Sequence, residues 1–170
     1  MMDTTAEVLA KQLGDLLLSG GRMLATAESC TGGGLAELVT RIAGSSQWFE
    51  RGYVTYSNAA KQELLDISSE KLEKYGAVSE QTALAMAEGA LEHSHASIAV
   101  AITGIAGPEG GTDDKPVGTV CFAWVDRSGY ANTARICFEG DRLKVRDQAC
   151  LLALQGLVDI LEKQISRPGD

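Results

Sequence analysis

The spacing of apolar residues along the chain predicts alternating helices and strands. Residues 4–19 carry apolar side chains at helical intervals and are followed by a pair of glycines, which favours an amphipathic helix that ends there. Short apolar runs at 23–27 and 52–56 predict strands, and the second is rich in aromatic and β-branched residues. The nearly continuous apolar run at 98–102 is typical of a central strand that is covered on both faces.

Helical periodicity and capping residues predict four more helices. The first follows the strand at 23–27 and ends at Gly44. The next is expected to begin at Asn58 as its N-cap, and a third at Ser79. Asp141 is the predicted cap of a long final helix with a broad apolar face.

The segment between the last two helices predicts a β-hairpin. Residues 117–125 and 131–138 have strand-like patterns, and the turn 126–129 joins them. Part of the sheet is therefore expected to be antiparallel. The simplest architecture is a single α/β domain over residues 1–170, a three-layer α/β/α sandwich with a mixed, mostly parallel central sheet.

Composition limits the classes of function. The chain has 170 residues and a formal net charge of −8, so the basic surface expected of a nucleic-acid-binding protein is missing. It has neither the layout of a signal peptide nor an apolar run long enough to span a bilayer. We therefore expect a cytoplasmic protein that binds no nucleic acid and no membrane. We also expect a homo-oligomer, with a dimer favoured, in which Trp48 and Phe49 are equally candidates for interface and for core.

Cysteine and acidic residues do not form a metal-binding pattern. The four cysteines are Cys30, Cys121, Cys137 and Cys150. They lack CxxC spacing, which argues against a zinc site or a dithiol motif. The last three are expected to be buried free thiols, and Cys30 to be a bystander beside a candidate nucleophile. The adjacent carboxylates Asp113 and Asp114 are expected to face solvent.

The segment Thr26–Gly34 carries the strongest indication of a functional site. It follows an apolar run and opens a helical pattern, so the hydroxyl of Ser29 is expected where a strand ends and a helix begins. The glycines that follow leave backbone N–H groups accessible to a phosphate or to the oxyanion of acyl transfer. Ser29 is therefore a candidate nucleophile, and the N–H groups of Thr31 and of Gly32 or Gly33 are candidates to bind either a phosphate or an oxyanion.

Two other predicted strand ends carry polar residues. Tyr56 and Asn58 follow the second strand, with Lys61 shortly after, and Thr103 and Gly104 follow the third. Ligands gather at the carboxyl ends of strands in open α/β sheets. If the strands are adjacent and parallel, these residues converge with Ser29, and we expect Asn58, Thr103 and Gly104 to bind substrate.

A serine nucleophile needs a base. The two histidines, His93 and His95, precede a central strand and are expected on the surface at the opposite edge of the sheet, which argues against a Ser-His-Asp triad. Lys61 is the best-placed alternative if burial lowers its pKa. Arg142, at the start of the last helix, would hold a phosphate or carboxylate, or else lie on the helix surface.

Taken together, these segments resemble the CinA C-terminal domain family, whose enzymes are nicotinamide-nucleotide amidases. The resemblance runs in order through nearly the whole chain. It is carried by Thr26–Gly33, Ile42–Ser46, Tyr53–Asn58 with Lys61, Gly76–Ser79, Thr103–Pro108, Lys115–Val120 and Gly140–Arg142.

This resemblance implies an α/β/α sandwich that hydrolyses the carboxamide of nicotinamide mononucleotide (NMN) to nicotinate mononucleotide and ammonia. Ser29 looks like the family nucleophile, Lys61 like the residue that activates it, and Tyr56 like an assisting group. Thr103 and Arg142 fall on positions that the family uses around the site. The implied mechanism needs no cofactor and no metal ion.

Two other functions compete with this interpretation. A non-catalytic, regulatory nucleotide-binding module would use the same glycine turns and strand ends. A DNA-associated role conflicts with the acidic charge of the chain.

Overall fold

The computed structural model describes residues 4–165, and the centre of that region is a five-stranded sheet. In chain order the strands are β1 (Leu24–Glu28), β2 (Phe49–Val54), β3 (Ile98–Gly104), β4 (Thr119–Asp126) and β5 (Ala131–Cys137). Across the sheet their order is β2-β1-β3-β4-β5. β1 pairs in parallel with β2 and β3, β4 is antiparallel to β3, and β5 is antiparallel to β4. Only β4 runs against the others, which confirms the mixed, mostly parallel sheet.

Helices cover both faces of this sheet, which confirms the three-layer α/β/α architecture. They are α1 (Thr4–Ser19), α2 (Gly34–Thr40), α3 (Asn58–Leu65), α4 (Ser69–Tyr75), α5 (Glu80–Glu92) and α6 (Arg142–Ile165). A short 3-10 helix, Ser45–Gln47, follows α2. One core contains side chains of α1, α2 and α6, and the other contains side chains of α3, α4 and α5. Within residues 4–165, none of the helices combines the length and apolar character needed to cross a bilayer.

The central strand β3 has side chains of different size on its two faces. Ile98, Val100 and Ile102 join the core beneath α1 and α6, whereas Ala99 and Ala101 join the core beneath α5. All five are fully buried, which explains the uninterrupted apolar run in the sequence. Small side chains on the inner face of α5 match the alanines of the strand, so this helix packs closely against the sheet.

The structure differs from the sequence predictions mainly at the ends of elements. β2 begins at Phe49 and ends at Val54, and α2 ends at Thr40 rather than at Gly44. The sequence analysis also misses α4. The predicted N-cap Asn58 is wrong by one residue: the Ser57 hydroxyl accepts the N–H of Ala60 at 3.0 Å, and Asn58 is the first helical residue.

The other two predicted caps are confirmed. The Ser79 hydroxyl accepts the N–H of Thr82 at 3.1 Å at the start of α5. The Asp141 carboxylate accepts the N–H of Lys144 at 2.9 Å and caps α6.

The structure selects the core for Trp48 and Phe49, and it corrects the expectation for Cys137. Trp48 is 1% exposed and packs over Gly14 of α1, where an added Cβ would lie 2.8 Å from the indole ring. It is therefore a core residue, and Phe49 packs against the same core. Cys137 is exposed, contrary to the expectation of a buried thiol, because β5 is the edge strand, whereas Cys121 and Cys150 are buried as predicted.

Close packing of α5 predicts that Gly89→Ala destabilises the protein. A Cβ at this position would collide with the carbonyl oxygen of Leu65 and lie 3.0 Å from the Leu65 Cβ. Overpacking costs about 1–3 kcal/mol, which we expect to exceed the gain of about 1 kcal/mol that alanine brings to a helix. Urea unfolding should show a lower free energy of unfolding. Glu88→Ala, at an exposed position of the same helix, is the control and should change it little.

Candidate active site

The carboxyl ends of the three parallel strands meet around one cavity of about 270 Å³. Ser29 directly follows β1, the segment after β2 leads into α3, and Thr103 lies near the end of β3. The cavity is lined by most of the predicted site residues, namely Ser29, Tyr56, Asn58, Lys61, Thr103, Gly104 and Arg142. The predicted convergence is therefore observed, and the adjacency of β2, β1 and β3 is its cause.

Lys61 and Ser29 are in direct contact. The Nζ atom of Lys61 lies 3.0 Å from Oγ of Ser29 and 3.0 Å from the carbonyl oxygen of Thr55. The Ser57 cap fixes the start of α3, and Lys61 lies one turn further on, so its side chain reaches back to the end of β1. Thr55 is itself held in place, because its main-chain N–H donates to the Glu28 carbonyl at 2.8 Å.

The surroundings of Lys61 favour its neutral form. The residue is 1% exposed, and burial lowers the pKa of its ammonium group. Across residues 4–165, no carboxylate forms an ion pair with it. A neutral amine at this position donates to the Thr55 carbonyl and presents its lone pair to the Ser29 hydroxyl. The pair therefore has the geometry of a nucleophile and its base.

Cys30 lies beside Ser29 and also lines the cavity. Burial raises the pKa of its thiol to about 12, so the thiolate is scarce at neutral pH. Both histidines are exposed, and His93 pairs with Asp66 at 2.6 Å, away from the residues that line the cavity. Neither Cys30 as a thiolate nor a histidine therefore competes with the Ser29–Lys61 pair.

The turn after Ser29 is organised differently from the sequence prediction. Thr31, Gly32 and Gly33 do not line the cavity, and the N–H of Gly32 donates to the Ser29 carbonyl at 3.0 Å. That N–H is therefore not available to an oxyanion. Gly32 and Gly33 have φ values of +57° and +97°, so the backbone conformation of the turn accounts for both glycines.

Two charged residues that the sequence analysis did not single out hold this turn. The buried carboxylate of Glu28 accepts hydrogen bonds from the Thr31 hydroxyl and from two N–H groups at the start of α2. Arg146 of α6 donates to the carbonyl oxygens of Cys30 and Thr31. The sequence holds no clear signal for Glu28, because a charged residue at a strand end is ordinary, and only its full burial requires partners.

Tyr56 and Arg142 form one rim of the cavity. The Arg142 guanidinium donates to the Tyr56 hydroxyl at 2.9 Å and to the Gly107 carbonyl at 2.8 Å. Tyr56 is 58% exposed, and among the described residues its hydroxyl is not bonded to Ser29 or Lys61. The structure thus links Tyr56 to Arg142 rather than to the Ser29–Lys61 pair.

The loops around residues 76–79 and 104–110 form another part of the wall. The Thr103 hydroxyl donates to the Ala77 carbonyl at 2.8 Å and so ties the first loop to β3. Ala77, Val78, Glu109 and Gly110 line the cavity. The first two lie in the motif Gly76–Ser79, whereas Glu109 and Gly110 are not among the predicted site residues. Within residues 4–165 there is no cluster of three or more His, Cys, Asp or Glu side chains that would hold a metal ion.

Comparison with known proteins places this arrangement in a family. The model of the CinA C-terminal domain matches residues 6–161. Nicotinamide-nucleotide amidohydrolase PncC of Escherichia coli strain K12 is 52% identical over 157 residues, which cover 92% of this chain and 95% of that protein. The protein of the same name from Pseudomonas putida is 49% identical over 152 residues, 89% of this chain and 94% of that protein.

Solved structures agree with the sequence comparison. The crystal structure of the competence/damage inducible protein CihA from Agrobacterium tumefaciens superimposes with a TM-score of 0.92 at 44% sequence identity. The superposition covers 95% of this chain and 98% of that chain.

Burial of Lys61 predicts a pH-dependent difference in stability between the wild type and Lys61→Met. The unfolded chain binds the Lys61 proton more tightly than the folded protein, so the lowered pKa makes wild-type stability rise with pH. The penalty is fully present below the lowered pKa and is lost as pH approaches the unfolded value of about 10.4. In urea unfolding, the advantage of the variant should shrink as pH rises.

Lys11→Met provides the matched control, because Lys11 is an exposed lysine on α1. It corrects for the loss of one positive charge from the protein. A Lys61→Met difference that stays constant with pH, as measured against this control, would contradict the inferred desolvation of the amine.

Proposed function

Because the chain belongs to the CinA C-terminal domain family, we propose that it is a nicotinamide-nucleotide amidase that converts NMN and water to nicotinate mononucleotide and ammonia. The observation that carries this proposal is the 3.0 Å contact between Lys61 Nζ and Ser29 Oγ inside the cavity. Similarity to the PncC amidohydrolases over 92% of the chain supports the substrate.

In the proposed first step, the neutral amine of Lys61 takes the proton of the Ser29 hydroxyl as Oγ attacks the carboxamide carbon. The new C–O bond converts the amide to a tetrahedral intermediate whose oxygen carries the negative charge. Cys30 follows the nucleophile and lines the cavity, so its main-chain N–H is the donor we propose in place of that of Gly32. One such donor typically lowers the activation free energy by about 3 kcal/mol.

Collapse of the intermediate breaks the C–N bond, and the Lys61 ammonium gives its proton to the departing NH₂ group, which leaves as ammonia. Lys61 is then neutral again and can activate a water molecule, which adds to the acyl-enzyme and restores the Ser29 hydroxyl. The Thr55 carbonyl accepts a hydrogen bond from Lys61 in both charge states and keeps Nζ in place. One lysine thus serves as base and acid in turn.

The rim and walls of the cavity supply the proposed binding groups. Arg142 donates two of its five N–H groups to Tyr56 and Gly107, so others remain for the substrate phosphate. Asn58, Thr103 and Gly104 line the cavity near Lys61 and are proposed to orient the nucleotide. Tyr56 acts through Arg142 at the rim in this scheme, or relays a proton if substrate binding moves it inward.

Replacing the nucleophile is the direct test of this proposal. Ser29→Ala should lower the rate of ammonia release from NMN by on the order of 10⁴-fold or more, because no acyl-enzyme can form. Cys30→Ala is the matched control at the adjacent position, and it should retain most of the activity. Near-normal turnover by Ser29→Ala would remove Ser29 as the nucleophile. A wild type that binds NMN without releasing ammonia would instead be a binding module.

The acid limb of the pH profile should report the Lys61 amine. Since the proposed base must be neutral, kcat should fall as pH drops through the Lys61 pKa. Burial lowers that pKa, so half-maximal activity should be reached below the ordinary lysine value of about 10.4. Lys61→Arg, which stays charged throughout this range, should be inactive at every pH. Activity of Lys61→Arg with an unchanged profile would rule out this base.

A further inference from the structure

A fully buried carboxylate lies directly beneath the nucleophile. Glu28 is the last residue of β1 and is 0% exposed. Its Oε1 atom accepts the Thr31 hydroxyl at 2.7 Å and the N–H of Leu35 at 2.8 Å, and its Oε2 atom accepts the N–H of Ala36 at 3.1 Å. All three donors belong to the turn after Ser29 or to the start of α2. The carboxylate therefore fastens the end of the strand to the helix that follows.

These hydrogen bonds compensate a charge that would otherwise be costly to bury. An uncompensated buried carboxylate is strongly unfavourable, whereas one that accepts N–H groups at a helix start is stabilised by those donors and by the helix dipole. The arrangement has no direct part in the proposed chemistry, because Glu28 does not line the cavity. Its effect is on the backbone on either side of Ser29.

Arg146 holds the same turn from α6. Its Nε atom donates to the Cys30 carbonyl at 3.2 Å, and its Nη2 atom donates to the Thr31 carbonyl at 3.1 Å. Glu28 thus accepts hydrogen bonds from the turn and from the start of α2, while Arg146 donates hydrogen bonds to carbonyl oxygens of the turn. Opposite charges from two elements fix the residues that immediately follow the nucleophile.

We propose that Glu28 and Arg146 are positioning residues that hold Ser29 Oγ within reach of Lys61 Nζ without touching the substrate. Loss of either residue should lower the reaction rate, because a displacement of about 1 Å between reacting groups can cost roughly 100-fold in rate. This inference rests on the proposed function for its kinetic test, but not for the labelling test described below.

The kinetic test compares Glu28→Gln with a matched change elsewhere. Glutamine keeps the size of the side chain but turns an NH₂ group toward one of the donors. We expect kcat for NMN to fall about 10- to 100-fold with KM changed less than about twofold. The control is Asp126→Asn, which alters a buried carboxylate that accepts Ser128 N at 2.9 Å and Gln164 Nε2 at 2.8 Å. Asp126 pairs with Ile98 at the opposite edge of the sheet, so its variant should lose stability but keep kcat.

The labelling test measures the nucleophile without NMN. A fluorophosphonate probe reacts when Ser29 Oγ bonds to phosphorus, fluoride leaves and the hydroxyl proton passes to Lys61. Mass spectrometry gives the rate of modification at Ser29 in the wild type, Glu28→Gln, Arg146→Gln and Asp126→Asn. We expect the first two variants to react at least about tenfold more slowly than the wild type and Asp126→Asn. Arg146→Gln keeps the test decisive if Glu28→Gln does not fold.

Each outcome separates the two claims. Wild-type labelling rates in folded Glu28→Gln and Arg146→Gln would overturn the positioning role, as would a kcat loss no greater than that of Asp126→Asn. If the wild type labels at Ser29 but releases no ammonia from NMN, the proposed function fails. In that case slow labelling of the two variants would still support the positioning role.

Discussion

The constraint on which the site depends is the exclusion of water from the amine of Lys61. Lys61 is 1% exposed, and no carboxylate of the described chain pairs with it. Burial of its charged form is therefore costly, and the neutral form is favoured. Among residues 4–165, its hydrogen-bond partners are the Thr55 carbonyl oxygen and the Ser29 hydroxyl. The same burial that opposes folding at neutral pH favours the neutral amine that the proposed base requires.

The sheet makes this contact possible. Lys61 and Ser29 are separated along the chain by α2 and β2. They meet because β1 and β2 are adjacent and parallel, so that the carboxyl ends of both strands lie at the same edge of the sheet. Parallel strands need long connections, and here the connection itself contains α2, whose first N–H groups bind Glu28 and so hold the turn after Ser29. The antiparallel part, β4 and β5, completes the sheet without contributing a strand end to the cavity.

Much of the fold and part of the site are predictable from the sequence. The uniform apolar run of β3 and the caps Ser79 and Asp141 are local signals, and each corresponds to an observed element. The choice of Ser57 over Asn58 as the N-cap of α3 is not predictable from the local sequence. Both side chains suit that role, and only the path of the chain after β2 decides between them. The positions of Thr55, Glu109 and Arg146 depend on contacts between distant segments, which periodicity does not encode.

The two buried charged side chains near Ser29 show how one fold treats opposite charges differently. Glu28 receives three hydrogen bonds, two of them from a helix start where positive potential is concentrated, so its environment suits a negative charge. Lys61 receives no comparable compensation, and its environment disfavours a positive charge. In the proposed mechanism, Ser29 needs both conditions. The turn must be rigid, which the satisfied carboxylate provides, and the base must be free to accept a proton, which the uncompensated amine provides. Exchanging these environments would give a protonated lysine that cannot act as a base and a carboxylate that no longer holds the turn.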